Sequence, residues 1–185
     1  DGHEVELELP FTQRHHALNA LAALNACAAL GLPLDRAADG AGAITLSPWR
    51  GEEQELPGGG LVINDAYNAN PDSMRAALEH LAERSDGRRR VAILGEMAEL
   101  GDDSAEYHRR TGDLAAELDV HVIGVGEAAR AYRPVVWAPD VNAAVEAARG
   151  FLAPGDAVLV KASRAVGLEG IAAEIANIAL AWSQS

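Results

Sequence analysis

The sequence is poor in aromatic residues and has a single cysteine among its 185 positions. Aromatic side chains make up only 4% of the chain, so the core must be built from alanine, valine, leucine and isoleucine. Hydrophobic residues amount to 49%, which is enough for a substantial core and argues against global disorder. Because Cys27 stands alone, an intrachain disulfide and a thiolate metal cluster are excluded.

Two kinds of motif are also absent. No basic and then apolar signal peptide opens the chain, which predicts a cytoplasmic protein. No Gly-x-x-Gly-Lys-Thr/Ser phosphate loop occurs in the sequence, so the usual motif for gripping the phosphates of ATP is missing. Residues 17–34 carry no charge but are rich in alanine and contain two asparagines. A spanning helix needs about 20 strongly apolar residues, and we therefore predict a buried helix and no membrane span.

The charge is strongly negative, with 28 acidic against 15 basic residues and a net charge of −13. Such a surface argues against general binding to nucleic acid or to an anionic membrane. It leaves room for a local phosphate site.

The pattern after residue 60 alternates strands and helices, which predicts an α/β fold with a mainly parallel, Rossmann-like sheet and helices on both faces. Nearly continuous apolar runs at 91–94, 120–123 and 157–160 are typical of central parallel strands. The predicted strands are 61–64, 91–95, 120–124, 134–137 and 157–161. The predicted helices are 71–84, 104–118, 126–132, 141–152 and 168–182.

The first part of the chain is different. Residues 3–9 alternate apolar and acidic side chains and predict a half-exposed strand. Helices are expected at 15–30, ended by Gly31, and at 34–41, and residues 42–60 are loop or hairpin. We place the domain boundary at 42/43, which gives a short strand-helix segment, 1–42, and the α/β domain, 43–185.

The stretch 61–74 concentrates polar groups at the end of a buried strand. Asn70 suits the N-cap of the following helix and Pro71 suits its first turn. In open α/β sheets, ligands bind at the carboxyl ends of the strands, so this loop is the candidate binding site. The alternative is an asparagine-rich turn whose side chains only cap the backbone locally.

Three strings resemble signatures of the Mur ligases that add D-alanyl-D-alanine to the peptidoglycan precursor. Residues 65–74 resemble Asp-x-Tyr-Asn-Ala-Asn-Pro-x-Ser-Met, and 94–101 resemble Leu-Gly-Asp-Met-x-Glu-Leu-Gly, with Glu96 in place of Asp. Residues 161–164 are similar to Lys-Gly-Ser-Arg, with Ala162 in place of Gly. His15 and Asn19 match a Gly-x-His-Asn-x-x-Asn motif, but His16 stands where the family has Asn, and the glycine is missing.

The resemblance implies a role for each matching residue. ATP would be bound by Asn19, Arg50, Asp65, Tyr67 and Asn70, with Asp65 on the ribose and Arg50 on the phosphates. The amino substrate and nascent peptide would be bound by Asn68, Glu99, His108, Lys161, Ser163 and Arg164. Read without the resemblance, these are a solvated loop arginine, exposed loop acids and a helix-surface histidine.

The resemblance also implies a function: the C-terminal part of an amide ligase that uses ATP and Mg²⁺ to join D-alanyl-D-alanine to UDP-N-acetylmuramoyl-tripeptide. The phosphate loop, the metal ligands and the site for the UDP sugar would then lie in the N-terminal and central domains of a longer chain. No catalytic or metal-binding residue is expected here, and the chain alone should be inactive. The alternatives are a folylpolyglutamate synthase-like or other ligase of the superfamily, and a stand-alone nucleotide-binding module.

A geometric prediction follows from parallel strands. Asp65, Glu99 and Lys161 each follow a different strand, so they should meet at one edge of the sheet, where the mixture of charges suits a nucleotide and a zwitterionic dipeptide. Residues 88–90 precede a strand and should form a solvated basic turn at the opposite edge.

Overall fold

The computed structural model describes residues 4–11, 14–45 and 47–182, without the side chains of residues 14, 15 and 38. The predicted contribution of the His15 side chain therefore lies outside the described residues. The chain divides into two compact units, Asp1–Ser47 and Pro48–Ser185.

The first unit contains two helices, α1 (Arg14–Ala29) and α2 (Asp35–Ala41). Gly31 ends α1 as predicted, with a left-handed φ of 71° and hydrogen bonds from the Gly31 and Leu32 N–H groups to the last turn. The expectation that α1 is buried is wrong, because Leu18 is 58% and Leu21 is 54% exposed. None of the helices in the described ranges is both long and apolar enough to cross a membrane.

The predicted strand at 3–9 does not form a ladder within the described residues 4–11. Its side chains alternate as expected, with Val5, Leu7 and Leu9 half-buried and the intervening glutamates exposed. The hydrophobic pattern gives an extended segment, but a strand also needs a neighbour for its N–H and C=O groups. The pattern alone could not supply that neighbour.

The second unit is the predicted α/β domain, built on a six-stranded sheet in the order β1-β2-β6-β3-β4-β5. The strands are β1 (Glu52–Leu56), β2 (Gly60–Asn64), β3 (Arg90–Leu94), β4 (Val120–Val125), β5 (Val136–Ala138) and β6 (Ala157–Lys161). Only β1 pairs antiparallel, and the other pairings are parallel. The longer helices are α3 (Pro71–Arg84), α4 (Ser104–Glu117), α5 (Val141–Phe151) and α6 (Ile171–Trp182).

Helices cover both faces of this sheet, as the continuous apolar strands predict. Val91 and Ile93 of β3 face a core shared with α5 and α6. Ala92 and Leu94 face a second core shared with α3 and α4. Because successive side chains of a strand point to opposite faces, each central strand contributes to both cores.

The predicted boundaries fail mainly in short segments. Residues 128–132 form a 3₁₀ helix where an α-helix over 126–132 was expected, and β5 begins at Val136. The last predicted helix is divided into a 3₁₀ turn at Leu168–Gly170 and α6. Gly126 has a φ of 85°, and a left-handed residue cannot be part of a right-handed helix. The helix predicted over 126–132 therefore cannot begin at Gly126.

The register places the carboxyl ends of the central strands side by side. Asn64 of β2 is opposite Val160 of β6, and Leu94 of β3 is opposite Lys161. The loops that follow these three strands therefore leave the sheet at one edge.

Candidate functional site at the carboxyl edge of the sheet

Three loops are joined at the carboxyl edge by the side chains of Lys161 and Ser163. Lys161 Nζ donates to Asp65 Oδ2 at 2.5 Å and to the Asn68 carbonyl at 2.8 Å. Ser163 Oγ accepts from the Ala98 N–H at 2.8 Å and donates to the Ala69 carbonyl at 3.4 Å. The structure therefore brings Lys161 against Asp65, and it ties the loop that carries Glu99 to the same edge.

The Lys161–Asp65 ion pair is largely buried, with the lysine side chain 2% and the aspartate side chain 16% exposed. Burial lowers the pKa of the Lys161 ammonium, and the Asp65 carboxylate opposes that shift. Among the described residues, the hydrogen bonds of the Lys161 ammonium all go to groups of the 65–68 loop. Lys161 therefore lies beneath the surface of the site, where it holds the 65–68 loop in place, and its ammonium is not exposed to a ligand.

Lys161 is distinctive in the sequence in a way that the predicted substrate role does not use. It is the sole lysine of the chain, and the other basic residues are arginines. A lysine retained at a strand end, next to an acid on a neighbouring strand, is a usable signal for a buried ion pair, because the compact ammonium fits where a guanidinium does not.

Asn64, which was not among the predicted site residues, organises the start of the 65–70 loop. Its Oδ1 accepts from the Ala66 N–H at 3.4 Å, and its Nδ2 donates to the Glu169 carbonyl at 3.1 Å. The side chain thus turns the chain after β2 and attaches it to the 3₁₀ turn that precedes α6. An asparagine directly after a buried strand is the sequence signal for such a turn.

Asn70 caps α3 as predicted. Its Oδ1 accepts from the Ser73 N–H at 2.8 Å, and Ser73 Oγ accepts from the Asn70 N–H at 3.0 Å, which completes a capping box. The side-chain oxygen of Asn70 is therefore used to cap the helix locally. The Nδ2 amide group is the part of the side chain that a nucleotide could contact. Asn68 is exposed and Tyr67 is half-buried.

His108 lies beneath the loop after β3 and is fully buried, with 0% exposure. Its Nε2 accepts from the Met97 N–H at 2.9 Å, so the proton sits on Nδ1, which donates to the Ser104 carbonyl at 2.7 Å. The alternative of a helix-surface histidine is wrong. A direct contact with substrate also does not fit this geometry, in which His108 holds the loop that presents Glu99.

Gly95 brings two protein segments together rather than a protein segment and a ligand. A Cβ at this position would lie 2.8 Å from Ala162 Cβ and 2.9 Å from Val166 Cγ1. The Gly95 carbonyl also accepts from the Tyr132 hydroxyl at 2.7 Å. Glu96 and Glu99 of the same loop are exposed, and Glu99 has a left-handed φ of 64°.

A cluster of two arginines and two aromatic rings stands beside the loop after β2. Arg50 Cζ lies 3.8 Å from the centre of the Tyr67 ring, and Arg164 Cζ lies 5.7 Å from the rings of both Tyr67 and Trp49. The Tyr67 N–H donates to the Trp49 carbonyl at 3.1 Å. Trp49 was also missed, although an aromatic residue between Pro48 and Arg50 is notable in a chain with so few aromatics.

Asn19 belongs to the first unit, where it is exposed on α1. His16, also on α1, is 8% exposed. Within the described residues, no group of three His, Cys, Asp or Glu side chains lies close enough together to hold a metal ion.

The basic segment 88–90 lies at the amino edge as predicted, but it is not a solvated turn. Arg89 makes a bidentate ion pair with Asp156 at 2.6 and 2.9 Å. Arg90 donates to Ser85 Oγ and to the Leu118 carbonyl. These arginines tie the starts of strands to neighbouring segments.

The family described as "Mur ligase, glutamate ligase domain" matches residues 49–164 of this chain. The UDP-N-acetylmuramoyl-tripeptide–D-alanyl-D-alanine ligase of Mycobacterium tuberculosis (strain H37Rv) is 37% identical over 91% of the chain and 39% of the relative. The ligase of the same name from Bacillus subtilis (strain 168) is 31% identical over 94% of the chain and 40% of the relative.

Solved structures give the same picture of the fold. The MurF ligase of Thermotoga maritima in complex with ADP is similar with a TM-score of 0.78 and 26% identity, over 93% of this chain and 40% of that one. A MurF structure from Acinetobacter baumannii has a TM-score of 0.79 and 29% identity, over 92% and 40% of the two chains. The chain thus spans about two fifths of the length of the curated relatives it matches.

Proposed function

The chain belongs to the Mur ligase family, and from that premise we propose that it is the C-terminal part of an ATP-dependent ligase that joins D-alanyl-D-alanine to UDP-N-acetylmuramoyl-tripeptide in peptidoglycan synthesis. One observation carries the proposal: the loops bearing the family's signatures are fastened together at one edge of the sheet by Lys161 and Ser163. Relatives that cover most of this chain bear the name of that ligase. A cytoplasmic location suits a reaction that consumes ATP.

The nucleotide side of the proposed site centres on Asp65. Its Oδ2 is bound to Lys161, while Oδ1 has no donor among residues 47–182, as the structure describes them. A carboxylate oxygen at a strand end suits the hydroxyl donors of a ribose. Tyr67 and Asn70 Nδ2 complete the proposed ATP set of this domain, and Arg50 meets the phosphates. For Asn19 of the first unit, contact with ATP stays a prediction from the family resemblance.

The amino-substrate side uses exposed groups of both signs. Glu99 and Asn68 would receive the ammonium of the dipeptide, and Arg164 would bind a carboxylate, for which a guanidinium fork is well suited. Lys161, Ser163 and His108 take part by holding these loops in position. In the reaction that the family resemblance implies, ATP converts the tripeptide carboxylate into an acyl phosphate, and closure of this domain excludes water from it.

The chain is proposed to need further domains of the same protein. It has no phosphate loop, and we assign the Mg²⁺ ligands and the UDP-sugar site to the N-terminal and central domains. Residues 1–42 would then be the tail of the central domain, with the C-terminal domain at 43–185. Purified alone, the 185-residue chain should release no phosphate from ATP.

A chimera tests this function directly. The matching part of the Mycobacterium tuberculosis relative would be replaced by this chain, and phosphate release would be measured with ATP, Mg²⁺, the UDP-linked tripeptide and D-alanyl-D-alanine. We expect release that depends on D-alanyl-D-alanine. Asp65→Asn should raise the KM for ATP about ten-fold, because it weakens charge-assisted bonds worth about 1.5–3 kcal/mol each.

The exposed Asp72→Asn variant is the matched control, because among the described residues Asp72 pairs with Arg75 on the surface of α3. It should leave the KM unchanged. A folded chimera that used glutamate or another single amino acid instead of the dipeptide would contradict the proposal and favour a different ligase of the superfamily.

A further inference from the structure

We propose that Arg50 and Arg164 form a single oxyanion site, with Trp49 and Tyr67 as the surfaces that hold the two guanidinium groups. The inference rests on the proposed function for the source of the anion, either a phosphate of the nucleotide or the carboxylate of the dipeptide. It refines the assignment above of Arg50 to the phosphates and Arg164 to a carboxylate, because both guanidinium groups would contact the same anion.

Both guanidinium groups lie near one aromatic ring. Arg50 Cζ is 3.8 Å and Arg164 Cζ is 5.7 Å from the centre of the Tyr67 ring. Both distances fall within the range of about 6 Å for a cation–π contact. Two like charges that share a ring repel each other, and an anion bound between them would relieve that repulsion.

Within residues 48–182, neither arginine has an acidic partner, which is unusual in that part of the chain. In the described part of the second unit, residues 48–182, every other arginine except Arg90 forms an ion pair, and Arg90 donates to Ser85 and a carbonyl. The paired arginines are Arg75, Arg84, Arg88, Arg89, Arg109, Arg110, Arg130, Arg133 and Arg149. With 28 acidic residues available, two unpaired guanidiniums in one place indicate a site for an external anion.

The partly buried acid of this edge, Asp65, does not serve as their counter-ion, and within residues 48–182 the exposed Glu96 and Glu99 form no ion pair with them. Asp65 is already bound to Lys161 at 2.5 Å. The Lys161 ammonium thereby neutralises the Asp65 carboxylate, which would otherwise attract a neighbouring arginine. Burial is the main cause that lowers the pKa of the Lys161 ammonium, and the positive charge of Arg50 lowers it further. Arg50 is therefore close enough to repel the Lys161 ammonium.

Aromatic surfaces are a suitable way to hold such arginines ready. A ring face positions a guanidinium without using its five N–H donors or cancelling its charge, whereas a carboxylate does both. The donors of Arg50 and Arg164 therefore remain available for the fork-like hydrogen bonds that phosphate and carboxylate accept.

The backbone beneath both arginines is fixed. Trp49 has a left-handed φ of 62°, and its carbonyl accepts from the Tyr67 N–H. Arg164 directly follows Ser163, whose hydroxyl bonds to the two neighbouring loops. Because both backbones are held before any ligand arrives, anion binding orders only two side chains.

The test uses nuclear magnetic resonance of the 185-residue chain, which contains only three tryptophans. Arginine Nε–H and tryptophan indole signals would be followed while inorganic phosphate, ADP or D-alanyl-D-alanine is added. We expect phosphate to move the Arg50, Arg164 and Trp49 signals along one saturation curve. Arg50→Gln and Arg164→Gln should each weaken phosphate binding about five-fold or more, and the double variant little further, because the two groups act on one ion.

Arg130→Gln is the matched control. Arg130 also stacks on a tryptophan, 3.5 Å from the Trp137 ring, but it is paired with Glu127. This variant should leave phosphate binding unchanged, and the Trp137 indole signal of the parent chain should not move. A response of Arg130 equal to that of Arg164 would overturn the proposal, because it would mean that any stacked arginine attracts phosphate.

The remaining outcomes separate the inference from the proposed function. If ADP or D-alanyl-D-alanine moves both arginines, the shared site stands and its ligand is identified. If ADP moves only Arg50 and the dipeptide moves only Arg164, the shared site is overturned while the ligase function stands. If phosphate moves both arginines but neither ADP nor the dipeptide does, the shared site stands, and the chimera assay decides the ligase function separately. If none of the three probes moves them, the shared site is overturned.

Discussion

The two edges of the sheet use positive charge in different ways. At the amino edge, Arg89 is bound by the carboxylate of Asp156 and the Phe151 carbonyl. At the carboxyl edge, Lys161 neutralises Asp65, while Arg50 and Arg164 lie near aromatic rings and have no acidic partner among residues 48–182. The central strand β6 has an ion pair at each end, since Asp156 precedes it and Lys161 is its last residue.

The difference separates charge that stabilises the fold from charge that is available to a ligand. Both ion pairs hold β6 to the segment beside it. Only the pair at the carboxyl edge includes a proposed ligand group, the Asp65 carboxylate. Within residues 48–182 the arginines of the carboxyl edge have no acidic partner, and under the proposal above they bind an anion from outside the chain. Composition alone cannot distinguish these two uses, because it counts arginines without their partners.

The largest effect should come from breaking the buried pair at the carboxyl edge. Lys161→Met leaves the Asp65 carboxylate without its partner in a site where it is only 16% exposed. Loss of one member of a buried pair costs about 3–5 kcal/mol, and the remaining exposure of Asp65 places the expected loss near 3 kcal/mol. Urea denaturation would measure this loss in the free energy of unfolding.

The double variant Lys161→Met with Asp65→Leu is the control for that measurement. Replacing both charges with apolar side chains of similar volume is often neutral, so the double variant should recover most of the lost stability while losing nucleotide binding. Equal destabilisation of the single and double variants would show that Lys161 acts through its packing and not through its charge.

The corresponding change at the amino edge should be smaller. Arg89→Gln removes both hydrogen bonds to Asp156, but Arg89 is 38% exposed and water screens part of the interaction. We expect a loss of about 1–2 kcal/mol in the free energy of unfolding, with no change in phosphate binding. The exposed Arg149→Gln variant, whose pair with Glu146 spans 3.7 Å, should lose less than about 0.5 kcal/mol. If Arg89→Gln weakened phosphate binding, the division of roles between the edges would be wrong.

Much of this arrangement could be predicted from the sequence, because it depends on local patterns. The apolar runs of β3, β4 and β6 predict a parallel sheet, and the turn residues Asn70 and Pro71 predict the start of α3. Parallel strands then require the loops after them to meet at one edge. The meeting of Asp65 with Lys161 follows from this rule, although the residues are 96 positions apart.

Side-chain depth could not be predicted in the same way. His108 and Lys161 are polar residues of kinds usually found at the surface, yet both are buried because each finds hydrogen-bond partners in a neighbouring loop. The pairing of Arg89 with Asp156 depends on which strand lies next to β3, and the sheet order places β6 there. The short 3₁₀ turns at 128–132 and 168–170 lack a periodic signal long enough to define them.

The smallest effect on stability is expected from the ion pairs on the surface of α4, where the paired arginines are exposed. Hydrogen bonds from Arg109 first and Arg110 second lower the pKa of Glu106 to about 2. In the unfolded chain a glutamate titrates near its ordinary pKa of about 4.3. Because the folded pKa is the lower one, any stabilisation by this carboxylate is present above about pH 4.3 and is lost as the pH falls through about 2.

A pH titration of the Glu106 carboxyl carbon by nuclear magnetic resonance would test this, with the Arg110→Gln variant beside it. The parent chain should show a midpoint near 2, and the variant a midpoint shifted upward towards the ordinary value, because one of the two donors is gone. A parent midpoint near 4 would mean that water screens this pair completely. In that case the arginines of α4 would be as available to anions as Arg50 and Arg164, although they lie beside acidic residues. The lack of an acidic partner would then no longer set the arginines of the carboxyl edge apart.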